Sequence, residues 1–142
     1  MLSIKNIYSL FIIFFFYQAN AQHNLKLVVQ NLSATHLNDT VYVAGNFNGW
    51  NPGKTAMAFQ QDKNVWEIIL SLPTDQYEFK FTLGSWDNVQ VTKSGKDAAN
   101  NSMKLLNDTS FFFTIVAWKN EFEVLPKKHT ASNHVTIMDT AF

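Results

Sequence analysis

The chain has 142 residues with eleven lysines, eleven acidic side chains, no arginine, no cysteine and zero formal net charge. That length suits a single domain of ordinary size. Neutrality without arginine excludes the basic footprint and guanidinium forks of a nucleic-acid binder, and the missing cysteine excludes disulfides, thiolate metal centres and thiol nucleophiles.

The first element is a leader. Lys5 precedes an apolar core from Ile7 to Tyr17, and Ala19-Asn20-Ala21 supplies the small-x-small pattern that signal peptidase reads. An apolar core this short falls below the span of about 20 residues that crosses a bilayer, which favours a cleaved leader over the alternative of an uncleaved membrane anchor. The expectation is therefore a cleavable leader over 1–21 and a chain with no membrane association after cleavage. The lack of disulfides points to a bacterial envelope, so the protein is expected to be secreted or periplasmic.

From residue 25 to residue 125 the hydrophobic pattern has a period of two. Leu25, Leu27 and Val29 alternate with Lys26 and Val28. Thr40 to Ala44 is β-branched and aromatic and stops at Gly45. Val65 to Leu72 is a further strand, closed by Pro73 with Thr74-Asp75 as the turn. In the next strand Tyr77, Phe79 and Phe81 share one face, while Glu78, Lys80 and Thr82 share the other. Ser110 to Trp118 is the most hydrophobic segment and predicts a central strand. Turn formers at 46–53, 60–64, 84–88 and 93–101 separate these runs. The expected fold is an all-β, immunoglobulin-like antiparallel β-sandwich over 22–120. Residues 121–142 read as a linker followed by the start of a further domain, with a renewed alternation at Val135 and Ile137.

Catalytic patterns are missing. There is no G-x-S-x-G nucleophile elbow; Leu83-Gly84-Ser85-Trp86 is the nearest string. No phosphate loop or dinucleotide fingerprint occurs. The four histidines are isolated, so no metal site and no cofactor are expected. Glu67, Glu78, Asp87 and Asp97 are scattered without the spacing that selects a glycosidase pair, and read as solvated strand faces.

The tryptophans divide into two kinds. Trp66 and Trp118 lie in apolar strands and read as core. Trp50 sits in Gly45-Asn46-Phe47-Asn48-Gly49-Trp50-Asn51-Pro52-Gly53, and Trp86 sits in Gly84-Ser85-Trp86-Asp87-Asn88; neither run can be a buried strand. An indole on a turn exposes a large apolar face unless something covers it. A sugar ring is a suitable cover, with neighbouring amides and lysines bonding its hydroxyls; anchoring of the loop itself is the alternative.

Val41-Tyr42-Val43-Ala44-Gly45-Asn46-Phe47-Asn48-Gly49-Trp50, then Trp66, then Tyr77-Glu78-Phe79-Lys80-Phe81, resembles the starch-binding domains of carbohydrate-binding module family 20. The same string is similar to the glycogen-binding modules of AMP-activated kinase β subunits. The resemblance implies a sandwich that holds α-1,4-glucan (starch or glycogen) without cleaving it. It places Trp50 on the first stacking tryptophan, Lys80 on the strand lysine that bonds sugar hydroxyls, and Trp86 on the second stacking tryptophan. It places Asn100 on a sugar-contacting asparagine, although the family's Pro-Asn-Arg reads Ala99-Asn100-Asn101 here.

The Gly-Ser-Trp loop, Thr130-Ala131-Ser132 and Val135 to Phe142 resemble the N-terminal part of exported bacterial esterases, in which such a sandwich precedes an α/β-hydrolase domain. That resemblance implies a hydrolase encoded downstream and a truncated esterase. Three functions therefore stand: a non-catalytic α-glucan-binding module, a docking module for a hydrolase with little sugar binding of its own, and a residual enzyme for which the catalytic groups are missing.

Overall fold

The structure is a computed structural model that describes residues 21–122. The leader expected over 1–21 and the linker and domain start expected over 121–142 lie almost wholly outside the described residues.

Among the described residues nine strands form: β1 (Gln22–Asn31), β2 (Tyr42–Gly45), β3 (Ala58–Gln60), β4 (Val65–Pro73), β5 (Asp75–Thr82), β6 (Gln90–Val91), β7 (Asn101–Leu105), β8 (Thr109–Ile115) and β9 (Ala117–Trp118). They build a four-stranded sheet of order β3-β4-β1-β8, a three-stranded sheet of order β2-β5-β7 and a small β6-β9 pair. Every named pairing is antiparallel except β1 with β8, which is parallel. The all-β sandwich is therefore as expected, with one parallel seam in it.

The period-two pattern sets the core. Leu25, Leu27 and Val29 point inward from β1 and are fully buried, as are Val43 of β2 and Phe79 and Phe81 of β5, within about a percent. Phe113 of β8 joins the two layers, its ring 5.7 Å from Phe79 at 86° and 5.2 Å from Phe81 at 61°. These edge-to-face contacts contribute roughly 0.5–1.5 kcal/mol each beyond burial. Trp66 and Trp118 are core residues, as their strands suggested. Trp118 Nε1 donates to Asn31 Oδ1 at 3.2 Å, which satisfies the buried indole N–H.

One expectation is corrected. Ser110 to Trp118 is not one central strand: the strand is interrupted at Val116, and β8 lies at the sheet edge with Phe112 61% exposed. Three consecutive phenylalanines cannot all face one layer, because alternate side chains of a strand point to opposite faces. Thr82 shares a face with Glu78 and Lys80 but is fully buried, because the loop 46–55 folds over it and its Oγ1 donates to the Pro52 carbonyl at 2.6 Å. As expected, β4 closes at Pro73, and the chain passes at Thr74 into β5, which lies in the other sheet. β7 was not anticipated, because only Met103 and Leu105 of its five residues carry the apolar signal.

Candidate functional site

The loop that carries Trp50 is built from its own amides. Asn46 to Asn48 form one turn of 3-10 helix, and Gly49 and Trp50 follow with φ of 68° and 57°. A tryptophan at positive φ is strained, a conformation costing on the order of 1–3 kcal/mol. The surroundings hold it there: the Trp50 N–H donates to the Gly45 carbonyl at 2.8 Å. Asn48 sits inside the turn, its Nδ2 donating to the Val43 carbonyl and to Thr55 Oγ1, each at 2.9 Å, while its Oδ1 accepts from the Gly45 N–H.

Asn46 Nδ2 donates to the Gln76 carbonyl at 2.9 Å and Asn51 Oδ1 accepts from the Gly53 N–H at 3.2 Å. The asparagines of this loop are thus occupied in shaping it. These hydrogen bonds give Asn46, Asn48 and Asn51 a structural role in the loop.

Trp86 begins a second 3-10 turn, Trp86–Asn88, which the Leu83 N–H closes by donating to the Asn88 carbonyl at 2.9 Å. This turn and the Trp50 loop meet at Gly53 and Gly84. A Cβ on Gly53 would lie 2.9 Å from the Gly84 carbonyl oxygen, so only glycine permits the approach. The contact brings the two indoles to a centroid separation of 6.4 Å with planes tilted by 39°. Trp86 is 39% exposed and Trp50 is half-buried. Sequence alone suggested both tryptophans but carried no sign of the Gly53–Gly84 contact that joins them; two glycines in turns far apart in sequence were its only trace.

Lys80 lies on the same outer face of β5, opposite Ala44 in the β2–β5 ladder and two residues from Thr82, where the Trp50 loop is anchored. Its side chain is partly exposed. Asn100 stands just before β7, and the Phe79–Asn101 pairing puts it on the Glu78 and Lys80 face. Its Nδ2 donates to Glu78 Oε2 at 3.1 Å. Glu78, read from sequence only as a solvated acid, therefore positions Asn100. The tryptophans form one surface; Lys80 and Asn100 extend along the adjoining sheet face. Among the described residues no group of three or more His, Asp or Glu side chains is arranged to hold a metal ion.

A family model described as the glycogen recognition site of AMP-activated protein kinase matches residues 28–110, and the chain belongs to that family. An α-amylase of Niallia circulans is 30% identical over 91 residues, 62% of this chain and 7% of the relative. An amylopullulanase of Thermoanaerobacter thermohydrosulfuricus is 35% identical over 75 residues, 51% of this chain and 5% of the relative. The chain thus spans only a small part of the enzymes it matches. Among solved structures, a family 15 glucoamylase from Hypocrea jecorina superposes over 68% of this chain and 18% of its own, with a TM-score of 0.51 and 18% identity, a likeness of fold.

Proposed function

We propose that this protein is an exported, non-catalytic module that binds α-glucan, starch or glycogen, by stacking sugar rings on Trp50 and Trp86. The observation that carries the reading is the indole pair itself, two large apolar rings 6.4 Å apart on surface turns, one of them held in a strained backbone. Lys80 donates to sugar hydroxyls from the sheet face. Asn100, its amide fixed by Glu78, offers its oxygen as an acceptor.

Each stacked ring contributes on the order of 1 kcal/mol, by analogy with other aromatic contacts. Binding is therefore shallow, in the millimolar to micromolar range. Family membership and the amylase and amylopullulanase relatives support a polysaccharide ligand. The relatives named above are an α-amylase and an amylopullulanase, and a following esterase domain rests on the tail sequence alone. The leader over 1–21 directs the chain to the periplasm or the exterior, which N-terminal sequencing of the exported protein at Gln22 tests. Retention on insoluble starch, compared between the parent protein and Trp50→Ala, tests the binding function.

A further inference from the structure

We propose that the outer edge of β8 is a self-association surface that pairs antiparallel with β8 of a second copy of this chain. Among the described residues the other sheet edges are protected. The outer edge of β2 is covered by the chain's own residues 55–57, through Val43 N–H to the Thr55 carbonyl at 2.9 Å and Met57 N–H to the Val41 carbonyl at 2.8 Å. β3 has three residues, and β7 carries Lys104 with Asn101 and Ser102. β8 has seven residues, TSFFFTI, with no charge, no proline and no glycine. Proteins blunt their edges with such features, and an edge lacking them pairs with another strand.

The backbone direction and the sequence agree on one register. The Leu32 N–H donates to the Ile115 carbonyl at 2.8 Å, so Ile115, and by alternation Phe113 and Phe111, direct their backbone groups to β1. Ser110, Phe112 and Thr114 direct theirs outward. A two-fold axis at Phe112 matches all three with their counterparts, Phe112 with Phe112 and Ser110 with Thr114, as hydrogen-bonded pairs. The same axis sets Phe111 opposite Phe113 of the other copy, an aromatic cross-strand pair on the inner face. A cleft of about 130 Å³ opens there, lined by Phe79, Met103, Phe111 and Phe113 together with Asn101 and Ser102 at the β7 side. Its size is close to that of cavities that accept benzene, roughly 150 Å³. It therefore receives the Phe111 ring of the second copy, which is 39% exposed in one chain alone. No like charges meet across this seam.

A single seven-residue seam buries less than about 1,200 Å² in total, the range of weak, reversible complexes. Sedimentation velocity of the purified protein over the micromolar to millimolar range is expected to show a monomer passing into a dimer. Phe112→Lys, which sets two ammonium groups at the axis, and Thr114→Pro, which removes an outward N–H, are each expected to raise the dissociation constant about tenfold or more. Both should keep the β spectrum of the parent, since neither touches the β1 side. A protein that stays monomeric throughout overturns the proposal, as does a dimer undiminished in both variants. Amide exchange separates the remaining occupant: Phe112 protection that rises with concentration supports self-pairing, and protection in the monomer shows another segment of the chain on this edge, which overturns it.

Discussion

The Gly84 carbonyl oxygen lies where a Cβ on Gly53 would come within 2.9 Å of it, and this contact fixes the turn of Trp86 against the loop of Trp50. Backbone meets backbone, so neither partner yields as the tip of a flexible side chain would. Gly53→Ala is therefore expected to part the two turns and reduce glucan affinity severalfold, at a stability cost of about 1–3 kcal/mol. Affinity electrophoresis in soluble starch beside thermal melting measures both effects. An unchanged mobility would show that the contact does not organise the site.

Asn31 ties the last strand to the first. Its Oδ1 accepts from Trp118 Nε1 at 3.2 Å and from the Ser33 N–H at 3.1 Å, while its Nδ2 donates to the His36 carbonyl at 2.8 Å. Asn31→Leu leaves the fully buried Trp118 with an unpaired N–H, at a cost of about 1–3 kcal/mol. The melting temperature should fall by several degrees while starch binding at room temperature is retained.

Tyr77 predicts an alkaline limit. Burial, reinforced by the charge of Asp75, raises its pKa above 10.0, and its hydroxyl donates to the Pro73 carbonyl at 2.8 Å. The unfolded chain loses this proton first, so the folded state binds more protons above that pH and stability falls as pH rises toward the folded pKa. Below it Tyr77 adds no pH dependence. In denaturant titrations at rising pH the parent should weaken beyond pH 10.0 more steeply than Tyr77→Phe. The variant itself loses about 1 kcal/mol at neutral pH with the hydrogen bond. Parallel curves for the two would contradict the assignment.

Alternation made the sandwich legible. Leu25, Leu27, Val29, Tyr77, Phe79 and Phe81 face the core in the order that their spacing dictates. Trp50 and Trp86 were legible as surface residues because turn formers surround them, and Lys80 because it faces away from Phe79 and Phe81. What stayed hidden depended on contacts distant in sequence. Phe111 to Phe113 carry enough hydrophobicity for a central strand, yet only the pairing of β8 with β1 alone shows an edge. The backbone partners that give the loop asparagines a structural role were not legible, and nothing local distinguishes Glu78 as the residue that holds Asn100.

Lys80 and Asn100 should tune binding without creating it. Lys80→Ala is expected to weaken affinity for maltoheptaose about three- to tenfold, the worth of a hydrogen bond or two at a wet surface. Glu78→Gln, which replaces the charged acceptor beside Asn100, should have a smaller effect in the same direction. Isothermal titration at constant pH measures both, and a loss with Lys80→Ala equal to that of a tryptophan variant would shift the site's centre to the sheet face.

The most direct test of the central claim is quantitative retention on insoluble starch for the parent protein, Trp50→Ala, Trp86→Ala and the double variant. Tryptophan fluorescence on addition of maltoheptaose accompanies it. Loss of one stacking surface is expected to reduce retention about fivefold or more in each single variant, and the double variant should be indistinguishable from a non-binding control. The parent fluorescence should shift on adding the sugar. Full retention by a double variant that keeps the parent's β spectrum would contradict the account.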